Sequence, residues 1–187
     1  MRYFYSLCKW ITLLVTLSVI TSCAFIKHDN LDNNFYQLQP LPTLLKNKVF
    51  LELLTFEQED KRTLLSQIET QEKTLSLGAM TLSGIPIIQA KWDSNEGLIG
   101  FSSMTFNEDM VLRIIRDIQL IKWPEDNIKA GLTPNFTLST SQNNSDEWTR
   151  EITNSGNTVI KIIYAKQKTV LINAIEHYQL TIEPVNE

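Results

Sequence analysis

The sequence predicts an α+β domain that is mainly antiparallel β: about ten strands curled into a half-open barrel, with an amphipathic helix pair inserted as its lid. Three observations carry this. Short runs of alternating apolar residues are separated by tight polar turns, the pattern of an antiparallel meander. The apolar period switches to helical spacing once, over residues 107–121. A sheet of that size must curl, close or be covered, and the helix is its natural cover.

Ahead of the fold lies a targeting segment. Met1 to Lys9 holds Arg2 and Lys9 and no acid, and Trp10 to Ile20 is apolar apart from Thr12, Thr16 and Ser18. A basic start and a short apolar run make a secretory signal, too short to span a bilayer. Ile20, Thr21 and Ser22 then precede Cys23. This resembles the bacterial lipoprotein signal, in which the thiol is the nucleophile that receives lipid and the chain is cut just before it. Residues 1–22 are therefore expected to be a lipoprotein signal peptide and Cys23 the lipidation site. The alternative is a plain secretory signal with an incidental cysteine. By resemblance to enterobacterial lipoproteins, Ala24 in the second mature position implies the outer membrane, on its periplasmic face. Several acyl chains such as palmitate on one residue would hold the protein firmly.

Cleavage before Cys23 removes 22 of 187 residues and leaves 165, enough for one domain with a real core. Cys8 goes with the signal, so no disulfide forms within the mature chain. Loss of Arg2 and Lys9 leaves 15 basic and 21 acidic residues, a net charge of −6. Nucleic acid is thereby excluded as a partner, and anionic lipid is not held by charge alone.

Residues 23–46 read as the acylated N-terminus and a tether, polar through Asp29, Asn30, Asp32, Asn33 and Asn34 and punctuated by Pro40 and Pro42. Some 17 extended residues at roughly 3.3 Å each would reach about 55 Å. Docking of Phe35 and Tyr36 on the domain would shorten that reach. Residues 47–187 form the domain. Its strands are predicted at Val49–Phe56, Arg62–Thr70, Thr74–Met80, Ile85–Trp92 and Leu98–Ser102. Met110, Val111, Ile114, Ile115, Ile118 and Ile121 then mark the helix, with Thr105 and Glu108 as a candidate capping box. Pro124 opens a second short helix to Ala130, and Gly131 is its expected stop. Five more strands follow: Phe136–Ser139, Trp148–Thr153, Thr158–Tyr164, Thr169–Asn173 and Tyr178–Ile182.

Asp117, Gln119, Leu120, Trp123 and Pro124 resemble the Asp-x-Gln-Leu-x-x-Trp-Pro signature of an uncharacterised lipoprotein family of Gram-negative bacteria. Leu77, Thr81, Gly84, Trp92 and Asp93 resemble its central hairpin; Ile160, Ile162, Tyr164, Asn173, Tyr178, Leu180 and Ile182 resemble its last strands. That family is similar in fold to LolB, the outer-membrane receptor that accepts lipoproteins from a periplasmic carrier. The resemblance implies a LolB-like half-barrel with an apolar cavity for acyl chains and a LolA-like carrier as partner. Family members are often linked to gene clusters for aryl polyenes, lipid-linked pigments of the outer membrane. The receptor's exposed loop leucine corresponds to Leu82, for which folding back over the barrel end is the other reading.

Chemistry is sought and not found. His28 and His177 have no second histidine or cysteine at ligand spacing, so no metal and no cofactor are expected. Gly100-Phe101-Ser102-Ser103-Met104 lacks the second glycine of a nucleophile elbow. No enzyme is therefore expected. The expected function is an outer-membrane lipoprotein, monomeric, that binds and passes on an acylated cargo: a lipoprotein, a lipid or a lipid-linked aryl polyene. Cavity-wall candidates are Leu53, Ile68, Leu77, Trp92, Ile114, Ile118 and Tyr178. The alternative is a solidly packed scaffold lipoprotein of an envelope biosynthesis complex.

Overall fold

The computed structural model describes residues 35–185; the signal segment, Cys23, Ala24 and His28 lie outside the described residues. Ten strands form one sheet: β1 (Lys48–Glu57), β2 (Lys61–Gln71), β3 (Thr74–Thr81), β4 (Pro86–Asp93), β5 (Gly97–Ser103), β6 (Phe136–Asn144), β7 (Glu147–Asn154), β8 (Asn157–Ala165), β9 (Lys168–Asn173) and β10 (Tyr178–Pro184). Between β5 and β6 come α1 (Glu108–Lys122) and α2 (Glu125–Gly131). The spatial order is β5-β4-β3-β2-β1-β10-β9-β8-β7-β6, antiparallel throughout. The chain thus runs out to one edge, crosses through the helices to the other edge, and meanders back until β10 pairs with β1. The edges β5 and β6 are not paired to each other, so the sheet is open rather than a closed barrel.

Curling is visible in what α1 faces. Its Leu120 carbonyl accepts from Arg150 of β7, while Ile114 shares a cavity wall with Ile88 of β4. Those strands are seven places apart, about 34 Å on a flat sheet at ~4.8 Å spacing. A helix of this length spans only about 22 Å. The sheet therefore folds its inner face around the helix. Register shifts lie in the flanking ladders, β3–β4, β4–β5, β6–β7 and β7–β8, and the central ladders are regular. Bulges raise local twist and bend a strand, so the flanks are where the curl is built.

The inner face of the β7–β9 side is packed solid: Ile152, Ile160, Ile162 and Leu171 are fully buried and join Val111 and Ile115 of α1 in one core. On the side of α1 opposite Ile121, Gln119 is fully buried. Its Oε1 accepts from Tyr36 Oη at 3.0 Å and Gln39 N at 2.8 Å, and its Nε2 donates to Gln39 O at 3.1 Å. Trp123 Nε1 donates to Pro40 O at 3.1 Å. Phe35, Tyr36, Leu41 and Leu45 are buried, so this part of the expected tether is a strap bound to α1, and the domain begins well before residue 47. Its aromatic pair and the backbone carbonyls that Gln119 and Trp123 need are what bring it in.

Two local expectations are corrected. The N-cap of α1 is Asn107, whose side chain accepts from Met110 N, and not Thr105. Asparagine caps well, and Glu108 and Asp109 behind it suit the positive helix end. Gly131 is the last residue of α2 rather than a left-handed stop. A Cβ there would lie 2.5 Å from Tyr36 Cε2 and 2.6 Å from Gln37 O, so glycine is required for the close approach of the strap.

Candidate functional site: an apolar trough beneath the helix

Strand parity decides what the trough contains. On β1, Glu52, Leu54 and Phe56 face inward, and cross-strand pairing places Leu64 of β2 and Ile182 of β10 beside Leu54. Ile68, Leu77, Ala79 and Ile88 continue the wall across β2, β3 and β4. Helix α1 supplies the facing wall through Ile114, Ile118 and Ile121, which recur at the spacing of one helical face. Between these walls lies a cavity of about 580 Å³. That is within the range of small-molecule sites, roughly 300–1,000 Å³.

One end of the trough is a mouth. The β1–β2 turn contributes Gln58, Glu59 and Asp60, the approach to α1 contributes Phe106, and the first turn of α1 contributes Met110. The β3–β4 turn lies at the same end, because Thr81 pairs with Leu64. Leu82 on that turn is 69% exposed and Ile85 is 52% exposed, so Leu82 projects from the domain and is not folded back. Thr81 N donates to Ile85 O, and Gly84 at φ 86 closes the turn in a conformation that glycine adopts freely.

Two polar groups border this apolar space. Midway along α1, Arg116 bonds Asp117 Oδ1 at 3.0 Å and Glu176 Oε2 at 2.7 Å. Tyr178 Oη donates to Asp117 Oδ2, and Asn173 Nδ2 donates to Glu176 Oε2 at 3.0 Å. Burial pushes the Asp117 carboxyl up from its usual range, against the pull of Arg116 and Tyr178. Burial, aided by Asp117, pushes the Tyr178 phenol up as well. The network ties α1 to the β9–β10 turn. Toward the inner end, Lys122 Nζ on α1 pairs with Glu52 Oε1 on β1 at 2.6 Å, and Nζ lies 4.1 Å from the centre of the Phe50 ring.

Of the sequence-predicted wall residues, the structure brings together Ile68, Leu77, Ile114, Ile118 and Tyr178. Leu53 is corrected: it lies one residue out of phase with Leu54 and faces the other side of the sheet, opposite Leu65 and Glu183. Trp92 is also corrected. It shares the inner face with Ile88 but sits four residues further, about 13 Å along β4, buried against Leu75 and Leu98. Sequence reasoning missed Glu52 and Lys122. The signal for Glu52 was present, a charge in phase with Leu54 and Phe56 on an apolar strand face.

His177 is exposed on the β9–β10 turn at φ 56. Ser103 Oγ donates to Ile87 O at 3.0 Å and accepts from Phe106 N at 2.9 Å, which makes it a turn staple. Among the described residues no group of three or more His, Cys, Asp or Glu could hold a metal ion. Nor is any described helix long and apolar enough to cross a membrane. A family model described as protein of unknown function, DUF3261, matches residues 51–186. No curated protein matches the chain.

Proposed function

We propose, from the premise that this chain belongs to the DUF3261 family, that it is a carrier of acylated cargo at the outer membrane. In this reading Cys23 holds the lipid anchor, and the curled sheet with α1 is a LolB-like half-barrel. The cargo, a lipoprotein, lipid or lipid-linked aryl polyene, rests its chain in the trough and is handed on without bond making. A LolA-like carrier is its proposed donor.

The observation that carries the reading is the unfilled apolar trough of about 580 Å³ beside an otherwise close-packed core. Interiors normally leave few voids larger than a water. Burial of an alkyl chain there is favourable by about 25 cal/mol per Å² of apolar surface. Leu82 and Ile85 are exposed at the mouth end, and in this reading they are the contact with the membrane or donor.

The test is direct. The full chain, purified in detergent-free peptidiscs, is analysed by mass spectrometry for bound lipid and titrated with a fluorescent fatty acid. Saturable uptake that is lost in Ile118→Asp with folding retained supports the carrier; a folded chain that takes up no probe refutes it. Labelling with radioactive palmitate, abolished by Cys23→Ala, tests the anchor separately.

A further inference from the structure

The trough is open at one end and shut at the other. Gln58 and Met110 line it at the mouth, and Glu52 and Lys122 line it at the inner end. Contacts between the walls fix this alignment of β1 against α1. Near the mouth Gln58 Nε2 donates to Glu176 O at 3.3 Å, and Glu176 pairs with Arg113 of the helix. Midway the Phe56 ring meets Tyr178, which donates to Asp117. At the inner end Lys122 meets Glu52. The next residues in phase on the inner face are Phe50 on β1, Thr70 on β2 and Leu75 on β3, and none of them borders the cavity. Thr70 and Leu75 are buried, and Thr70 Oγ1 donates to Leu45 O of the strap. The Phe50 ring lies under the Lys122 ammonium. Packed side chains therefore form a floor.

Resting on the carrier reading above, we infer that this floor makes the trough a measure of chain length, and that the preferred guest carries an unbranched alkyl chain matched to its depth. From Met110 to Lys122 the helix rises about 18 Å. From Gln58 to Glu52 the strand covers about 20 Å. Two walls of different geometry thus give nearly the same depth. With C–C bonds near 1.52 Å an extended alkyl chain advances about 1.25 Å per carbon, so the trough takes about 14–16 carbons. The alkyl end leads. A carboxylate carried to the floor would be desolvated, and Lys122 is already engaged by Glu52. Each methylene that enters tightens Kd by up to about fourfold. Carbons beyond the depth of the trough stay at the mouth in water and add little.

Equilibrium dialysis of radiolabelled, saturated fatty acids of 8 to about 20 carbons against the full chain in peptidiscs, with empty peptidiscs subtracted, tests this. Affinity should rise by about twofold to fourfold per carbon and then break to a plateau at about 14–16 carbons. A break below about 12 carbons, or a rise that continues to about 20, overturns the measured depth while the carrier stands, and neither result requires a variant to fold. Leu77 lines the trough beside the floor on β3, so Leu77→Phe should bring the break down by about two carbons. An unmoved break in that variant, folded by circular dichroism, overturns the placing of the floor. Absence of saturable binding by any probe removes both the length measure and the carrier.

Discussion

Substituting Ala79 by isoleucine asks whether the trough is empty. Ala79 stands on the inner face of β3 between Ser66 of β2 and Ile88 of β4, and it lines the cavity. Isoleucine adds three carbons and suits a strand. At about 0.8 kcal/mol per buried carbon the full gain is ~2.4 kcal/mol. With one side of the new chain still open to the trough, about 1–2 kcal/mol should be realised. In a domain of this size each kcal/mol shifts Tm by roughly 2–4 °C, so Tm should rise about 2–8 °C. In a filled site the same carbons would be overpacked, at a cost of about 1–3 kcal/mol. The sign of the change therefore separates the two states of the trough. Calorimetry on delipidated wild-type and Ala79→Ile chains is the assay, delipidated because bound ligand would stabilise the wild type by mass action. Fatty-acid uptake by the variant should fall in parallel. A lowered Tm with uptake unchanged would refute the reasoning.

Two further outcomes follow from particular contacts. Tyr36, Tyr164 and Tyr178 are held above the ordinary phenol range chiefly by burial, Tyr164 at about 12 against 10.0. Their contribution is fully present below pH 10 and is lost as pH rises through the folded values, by about 1.4 kcal/mol per pH unit for each phenol. A chain cut before Cys23 keeps only these three of its five tyrosines, so phenolate absorbance should appear in one step with unfolding; smooth titration near pH 10 of a folded chain would contradict this. Gly131→Ala should cost about 1–3 kcal/mol in chemical denaturation, because its Cβ has no room against Tyr36 and Gln37. It should also expose the strap at residues 35–41 to faster hydrogen exchange, and protection unchanged from wild type would count against the close-approach argument.

All ten strands and both helices were legible because each carries its own periodicity between polar turns. Where periodicity fails, legibility fails with it. Strand β6, predicted to end at Ser139, continues to Asn144 although nothing apolar alternates there; pairing of Gln142 with Trp148 and of Asn144 with Glu147 keeps the end extended. Leu53 and Leu54 are the same residue in adjacent positions, so composition could not tell inner from outer face. Glu52 and Lys122, which pair across the trough, are 70 apart in sequence, and the network at Asp117 reaches Tyr178 over 61. Such meetings depend on how the sheet curls, which no local pattern records.

The way α1 is held explains why a space exists and where it opens. One side of the helix carries Gln119, occupied by the strap, and another packs on the filled β7–β9 core. Its last turn is fixed three times: Arg150 Nη1 donates to Leu120 O at 2.6 Å, Tyr164 Oη donates to Ile121 O at 2.8 Å, and Lys122 meets Glu52. Its middle is fixed by Arg116 and Asp117 to Glu176 and Tyr178. Lifting the helix would strand buried charges, each costing several kcal/mol when unpaired. The first turn has no comparable tie: Met110 is 41% exposed, and Met104 in the approach to it is 78% exposed. In the carrier reading proposed above, a guest would enter along the helix axis from the end bearing Met110 and Phe106.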